Sequence, residues 1–165
     1  MTVTVNGIAH IQLSVSDPES CLPFWEKLCH FLDMKTLLRS DDAVYCIGSR
    51  TGILVKAAPP ENRAYRFNQN NAGLHHFCFR ARSRDDVDEV ARFVSEELEA
   101  TMVHGPQEDS RFAPGYYSVL FEDPEGIRVE FNFVPGMGHL GPGGRLGPHG
   151  DGPANNYDAD GLRNI

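Results

Sequence analysis

The sequence predicts an α+β fold built from two similar modules, and three observations indicate it. The pattern of residues 7–15 returns at residues 73–81, with His10 and His76 at the same place in each copy. Each copy alternates apolar and polar residues, as a half-buried strand does, and runs into a segment with helical spacing of its apolar residues. Short strand-like segments separated by turns follow each helix. We therefore expect a strand–helix–strands order that occurs twice.

Composition sets further bounds. The chain has 165 residues, of which 41% are hydrophobic and 23% charged, as in one globular domain or two small modules that share a core. The net charge of −8 argues against nucleic acid or an anionic membrane as a partner. No signal peptide or membrane-length apolar run is recognisable, and the four cysteines lie far apart. These features predict a cytoplasmic protein with reduced, mostly buried thiols.

The first module, about residues 6–58, opens with a strand at 7–15. Asp17 is a typical N-cap, and Pro18 suits the first helical position, so a helix begins here. The predicted elements after the first strand are a helix at 18–32, strands at 35–40, 43–48 and 52–58, and a proline- and asparagine-rich linker at 59–72.

The second module, about residues 73–134, repeats this order. Ser83 and Asp86 form a capping box with the shorter acid, which opens a helix that ends near residue 99. The predicted strands are 73–81, 101–104, 115–122 and 127–133. Together the modules make one domain at 1–134, followed by a glycine- and proline-rich tail at 135–165 that cannot form a core of its own.

Side-chain alternation assigns a polar face to three of these strands. The apolar residues of each strand need a helix to cover them, so the polar faces point away from the helices, to solvent or into a concave cavity. Three strands that agree favour a shared cavity. The residues on these faces are His10, Gln12 and Ser14 in the first strand, His76, Cys78 and Arg80 in its repeat, and Arg128, Glu130 and Asn132 in the last strand.

Two imidazoles and one carboxylate on these faces suggest a metal centre with His10, His76 and Glu130 as ligands. Gln12, Cys78, Arg80 and Asn132 then form a candidate substrate shell, with solvated positions as the alternative. A salt bridge between Arg128 and Glu130 is a competing explanation, because a carboxylate among apolar residues is costly to bury unpaired.

The chain resembles the vicinal oxygen chelate superfamily of glyoxalases, bleomycin-resistance proteins and extradiol dioxygenases. The resemblance rests on the paired histidine-containing strands and on the ending at residues 115–130, where a strand, an Asp-Pro-Glu-Gly turn and a second strand lead to Glu130. It covers residues 6–134. It implies two βαβββ modules whose curved mixed sheets surround a metal cavity, with the helices outside. It also implies a homodimer and the ligands His10, His76 and Glu130 for a divalent ion: Fe(II), Mn(II), Ni(II) or Zn(II).

Two departures from the family pattern bear on the reaction. The fourth ligand position of glyoxalase I falls near Val55 and Lys56, neither of which replaces a glutamate. Three ligands instead resemble the extradiol dioxygenases and fosfomycin-type thiol transferases. Those classes often carry a tyrosine ten residues before the ligand glutamate, and Leu120 stands there, with Tyr116 and Tyr117 out of register.

The predicted function is a metal-dependent enzyme that takes a small oxygenated substrate as a bidentate chelate, with lyase- or isomerase-type electrophilic catalysis. One alternative is an extradiol-type ring-cleaving dioxygenase that uses Fe(II). Another is a metal-free protein that binds a small molecule and confers resistance. No general base is identified from the sequence.

Overall fold

The computed structural model describes residues 3, 5, 7–48 and 50–136. Within these ranges the chain forms two compact units. The first contains the described residues up to 75, together with 94–101 and 122–128. The second contains 76–93, 102–121 and the described residues from 129. Each unit is organised around a four-stranded sheet and carries one of the two long helices.

In the first sheet the strand order is β1-β4-β3-β2. β1 runs parallel to β4, and the β4–β3 and β3–β2 pairs are antiparallel. The elements are β1 (Ile11–Val15), α1 (Pro18–Phe31), β2 (Lys35–Arg39), β3 (Ala43–Gly48) and β4 (Thr51–Ala57), followed in the linker by a short 3-10 helix (Pro60–Asn62).

The second sheet has the corresponding order β5-β8-β7-β6. Its elements are β5 (His76–Arg80), α2 (Arg84–Glu96), β6 (Thr101–Glu108), β7 (Tyr117–Glu122) and β8 (Arg128–Phe133). The βαβββ order thus occurs twice along the chain, and in both sheets the first strand lies beside the last. The predicted α+β fold with two such modules is therefore confirmed.

The helix α1 follows from local sequence. The Asp17 carboxylate accepts a hydrogen bond from the Ser20 amide at 3.3 Å, and Pro18 is the first helical residue. One face of the helix is buried and contacts β3 and β4. Trp25 on this face is 1% exposed, and its indole N–H donates to the Asp123 carboxylate at 2.7 Å. The helix is thus fixed both by its cap and by a buried hydrogen bond to the turn at residues 123–126.

The N-terminus of α2 also matches its predicted capping box. The Ser83 hydroxyl accepts from the Asp86 amide at 3.1 Å, and the Asp86 carboxylate accepts from the Arg82 amide at 3.2 Å. The helix ends at Glu96, earlier than predicted. None of the helices in the described part of the chain is long and apolar enough to cross a membrane.

The strand ends differ from the predicted ones. β1 begins at Ile11 and β5 at His76, so the two glycine-containing starts lie outside the sheets. β6 extends to Glu108, four residues beyond its predicted end. Most of the predicted tail, residues 137–165, lies outside the described residues.

Candidate metal centre

The candidate centre is built around Glu130 of β8 in the second unit. Glu130 is 9% exposed. Its Oε2 lies 3.3 Å from Nε2 of His76, and its Oε1 accepts a hydrogen bond from the Tyr116 hydroxyl at 2.7 Å. The two carboxylate oxygens therefore have different partners. The partner of each Glu130 oxygen affects which oxygen can bind a cation.

The sheet order explains how these side chains meet. β8 lies between β5 and β7, so Glu130 has a neighbouring strand on each side. His76 and Cys78 lie two residues apart on β5, so their side chains are on the same face of the sheet. On the other side, Tyr116 immediately precedes β7 and Ser118 lies within it, again two residues apart. Ser118 lies close enough to lower the pKa of the Glu130 carboxylate, and that carboxylate raises the pKa of the Cys78 thiol. The carboxylate is thus enclosed by polar side chains from both neighbours.

These contacts keep the Glu130 carboxylate ionised. Burial acts to raise its pKa, but hydrogen bonds from His76, Tyr116 and Ser118 and the electrostatic effect of His76 outweigh burial and hold it below its ordinary value. An ionised carboxylate beside an imidazole is a donor pair suited to a divalent cation. The centre therefore provides two of the three predicted ligands from one unit.

Neighbouring hydroxyl and thiol groups remain protonated. Burial, together with the Glu130 carboxylate, raises the pKa of Tyr116. Desolvation by the surrounding protein raises the pKa of the Cys78 thiol, and the Glu130 carboxylate raises it further. Cys78 nevertheless keeps an exposed surface. Tyr116 is therefore a hydrogen-bond donor to Glu130. Cys21, Cys29 and Cys46 are buried free thiols as predicted, which leaves Cys78 as the exposed one.

The other predicted shell residues have varied surroundings. Asn132 is half-buried and lies close enough to the Tyr116 hydroxyl to oppose the rise in its pKa. Arg80 is exposed on β5. In the first unit, Gln12 is exposed on β1, and His10 is exposed immediately before that strand. The structure thus brings His76 and Glu130 together, while His10 belongs to the other unit. Within the described ranges, no three His, Cys, Asp or Glu side chains form a ready metal-binding cluster, so the three-ligand set stays a prediction.

The alternative prediction of a salt bridge between Arg128 and Glu130 is wrong. The Arg128 guanidinium donates to the Glu122 carboxylate at 3.0 Å. Arg128 and Glu130 lie two residues apart on β8, yet their charged groups have different partners. Glu130 is compensated by His76 and by the hydroxyls around it.

Tyr116 is the site residue that the sequence reasoning set aside. Counting ten residues back from Glu130 leads to Leu120, whereas the hydroxyl that reaches the carboxylate comes from four residues earlier. Tyr116 has the same parity as Ser118, so both side chains lie on one face, and a tyrosine side chain is long enough to reach Glu130 from just before the strand. Strand parity combined with side-chain reach is the signal that would have found it.

Comparisons with known proteins find a matching family model and relatives of similar fold. A family model described as the Glyoxalase/Bleomycin resistance protein/Dioxygenase superfamily matches residues 7–131. The uncharacterized protein PA2024 of Pseudomonas aeruginosa is 29% identical over 150 residues, covering 86% of this chain and 96% of that protein.

Solved structures agree with this match. A Bacillus halodurans protein described as a candidate glyoxalase has a TM-score of 0.67 at 22% identity, covering 78% of this chain and 96% of its own. The lactoylglutathione lyase of Agrobacterium tumefaciens has a TM-score of 0.56 at 24% identity, covering 78% and 94%. At these identities the likeness shows a shared fold alone.

Proposed function

Because this chain belongs to the glyoxalase/bleomycin resistance protein/dioxygenase superfamily, we propose that it is a metal-dependent enzyme that acts on a small oxygenated substrate. The observation that carries the proposal is the approach of His76 Nε2 and Glu130 Oε2 to 3.3 Å on neighbouring strands. Both atoms are typical ligands of Fe(II), Mn(II), Ni(II) and Zn(II). His10 completes the proposed protein ligands, as the family resemblance implies.

The distance between the two donor atoms suits a shared ion. With metal–nitrogen and metal–oxygen bonds of about 2.0–2.2 Å, two adjacent ligand atoms lie roughly 2.8–3.1 Å apart at octahedral angles and roughly 3.3–3.6 Å apart at tetrahedral angles. The observed 3.3 Å falls within the tetrahedral range. The same distance also fits a weak imidazole–carboxylate hydrogen bond, so direct metal measurement is the deciding test.

A divalent metal bound here supplies Lewis-acid chemistry that stabilises negative charge on substrate oxygens. The chain's own residues provide the rest. Glu130 contributes an ionised carboxylate whose orientation is fixed by hydroxyl donors. Cys78 and Arg80 are exposed on β5, the strand that carries His76, and are the proposed substrate contacts. The proposed reaction is of the lyase or isomerase type, in a cytoplasmic homodimer.

Metal content tests this proposal. Untagged protein is purified anaerobically and analysed for bound metals, beside His76→Ala and Glu130→Ala variants. His104→Ala and Glu108→Ala are matched controls, since both residues lie on β6 outside the centre. We expect near-stoichiometric Fe, Mn, Ni or Zn in the wild type and the controls, with loss in both site variants. No bound metal, and no uptake on reconstitution of the wild type, would contradict the proposal.

A ring-cleaving dioxygenase is the second candidate, because the proposed set of three protein ligands resembles that class. The tyrosine that this class often carries ten residues before the ligand glutamate is replaced by Leu120, although the Tyr116 hydroxyl reaches Glu130 at 2.7 Å. Oxygen consumption with a catechol and Fe(II), lost under chelation, would select this reaction. Ligand binding that persists after exhaustive chelation would instead favour a metal-free binding protein.

A further inference from the structure

The Tyr116 hydroxyl contacts the Glu130 carboxylate at the candidate centre, and Asn132 lies beside that hydroxyl. The Tyr116 hydroxyl donates to Oε1 of Glu130 at 2.7 Å, and the Asn132 side chain lies close enough to that hydroxyl to oppose the rise in its pKa. A tyrosine hydroxyl has one proton to donate and lone pairs that accept. With that proton directed to Glu130, the remaining position for Asn132 is as a donor, through its amide group.

This arrangement fixes the direction of the carboxylate. Oε1 is occupied by Tyr116, whereas Oε2 is the oxygen that faces His76 at 3.3 Å. A hydroxyl donor on one oxygen of a carboxylate favours binding of a cation through the other oxygen alone. Hydrogen bonds to metal ligands from surrounding residues orient them and commonly tune metal affinity.

We propose that Tyr116, supported by Asn132, is a positioning residue that holds Glu130 as a one-oxygen metal ligand through Oε2. This rests on the proposed metal site. The Tyr116 side chain acts through Glu130 and does not itself bind the metal. Its effect therefore appears in metal affinity and in the coordination of Glu130 rather than in the fold.

The neighbouring tyrosine provides a matched control. Tyr117 begins β7, and its hydroxyl donates to the exposed carboxylate of Asp88 at 2.7 Å. Tyr116→Phe and Tyr117→Phe thus each remove one hydroxyl and one hydrogen bond to a carboxylate, at adjacent positions. They differ in whether that carboxylate is the candidate ligand.

The experiment is titration of the metal-free proteins with Co(II), followed by calorimetry and by the visible absorption spectrum. We expect Tyr116→Phe to lower Co(II) affinity about 10- to 100-fold, in the range typical of a lost partner to a metal ligand. Its Co(II) spectrum should also change, because the freed Oε1 alters the coordination of Glu130. Tyr117→Phe should match the wild type in both measurements. Asn132→Ala, which leaves the hydroxyl in place but unsupported, should cause a smaller loss in the same direction.

Two results would overturn the inference while leaving the metal site intact. One is wild-type affinity and an unchanged spectrum in Tyr116→Phe. The other is an equal loss of affinity in both phenylalanine variants with equally lowered thermal stability, which would indicate a structural role. A wild type that takes up neither Co(II), Mn(II) nor Zn(II) would refute the proposed function, and this inference with it. The wild-type titration therefore separates the two failures.

Discussion

Replacement of Asp123 by Asn should destabilise the protein more at acidic than at neutral pH. Asp123 is 4% exposed and accepts hydrogen bonds from the Trp25 indole at 2.7 Å and from the amides of Glu125 and Ile127 at 2.9 and 2.8 Å. Burial raises its pKa from the ordinary 3.8 to about 6, and the nearby Glu125 adds to this, although the three hydrogen bonds oppose it.

The direction of the effect follows from proton linkage. Because the pKa of Asp123 is higher in the folded than in the unfolded protein, the folded state binds the proton more tightly. The contribution of Asp123 to the free energy of unfolding therefore increases as the pH falls through about 6. It is fully present below the pKa that Asp123 has in the unfolded protein. At pH 5, roughly one unit below the folded pKa, the gain over neutral pH is about 1.4 kcal/mol. An Asp123→Asn variant cannot titrate and lacks this gain.

Trp25 is the only tryptophan in the sequence, so its fluorescence reports unfolding at the affected contact. Urea unfolding of wild type and Asp123→Asn at pH 7 and pH 5 gives the free energies of unfolding. We expect the free energy of unfolding of the wild type to exceed that of the variant by about 1.4 kcal/mol more at pH 5 than at pH 7. Asp41→Asn, an exposed control, should show no such increase. A difference that stays constant or shrinks on acidification would contradict a raised pKa of Asp123 in the folded protein.

Three further outcomes are expected. Ser83→Ala removes the cap of α2 and should lower the free energy of unfolding by about 1 kcal/mol, whereas the exposed Ser110→Ala should change it little, as measured by urea unfolding. Arg128→Ala should leave metal content unchanged because Arg128 binds Glu122 rather than the candidate ligand, and a loss of metal would contradict that assignment. Light scattering coupled to size exclusion should give the mass of a homodimer; a monomer across the micromolar range would contradict the proposed assembly.

Local signals in the sequence were sufficient for most of the fold. Asp17 and Pro18 mark the start of α1 because capping and a fixed proline φ act within one turn. Alternation correctly placed Leu13 and Val15 of β1 inside and Gln12 outside. Strand ends were less predictable. β1 omits the residues before Ile11 because a strand extends only as far as its neighbour pairs with it, and the pairing with β4 begins at Ile11 and Ile53.

The candidate centre shows the limits of the same reasoning. Parity put His76 and Glu130 on polar faces but did not predict that Glu130 would be buried, since burial depends on the neighbours of a central strand. Whether Arg128 or His76 would compensate Glu130 depends on side-chain reach in three dimensions. Tyr116 was missed for the same reason, because a spacing rule carried over from a family resemblance ignores how far a tyrosine can extend along a strand.

X-ray absorption at the zinc edge of zinc-loaded protein tests whether His76 and Glu130 bind one metal ion. In the wild type we expect nitrogen and oxygen ligands at about 2.0–2.2 Å, with a histidine signature. His76→Ala and Glu130→Ala should not retain stoichiometric zinc. A sulfur ligand at about 2.3 Å, which would indicate Cys78, or zinc retained with the wild-type spectrum in both variants, would contradict this assignment.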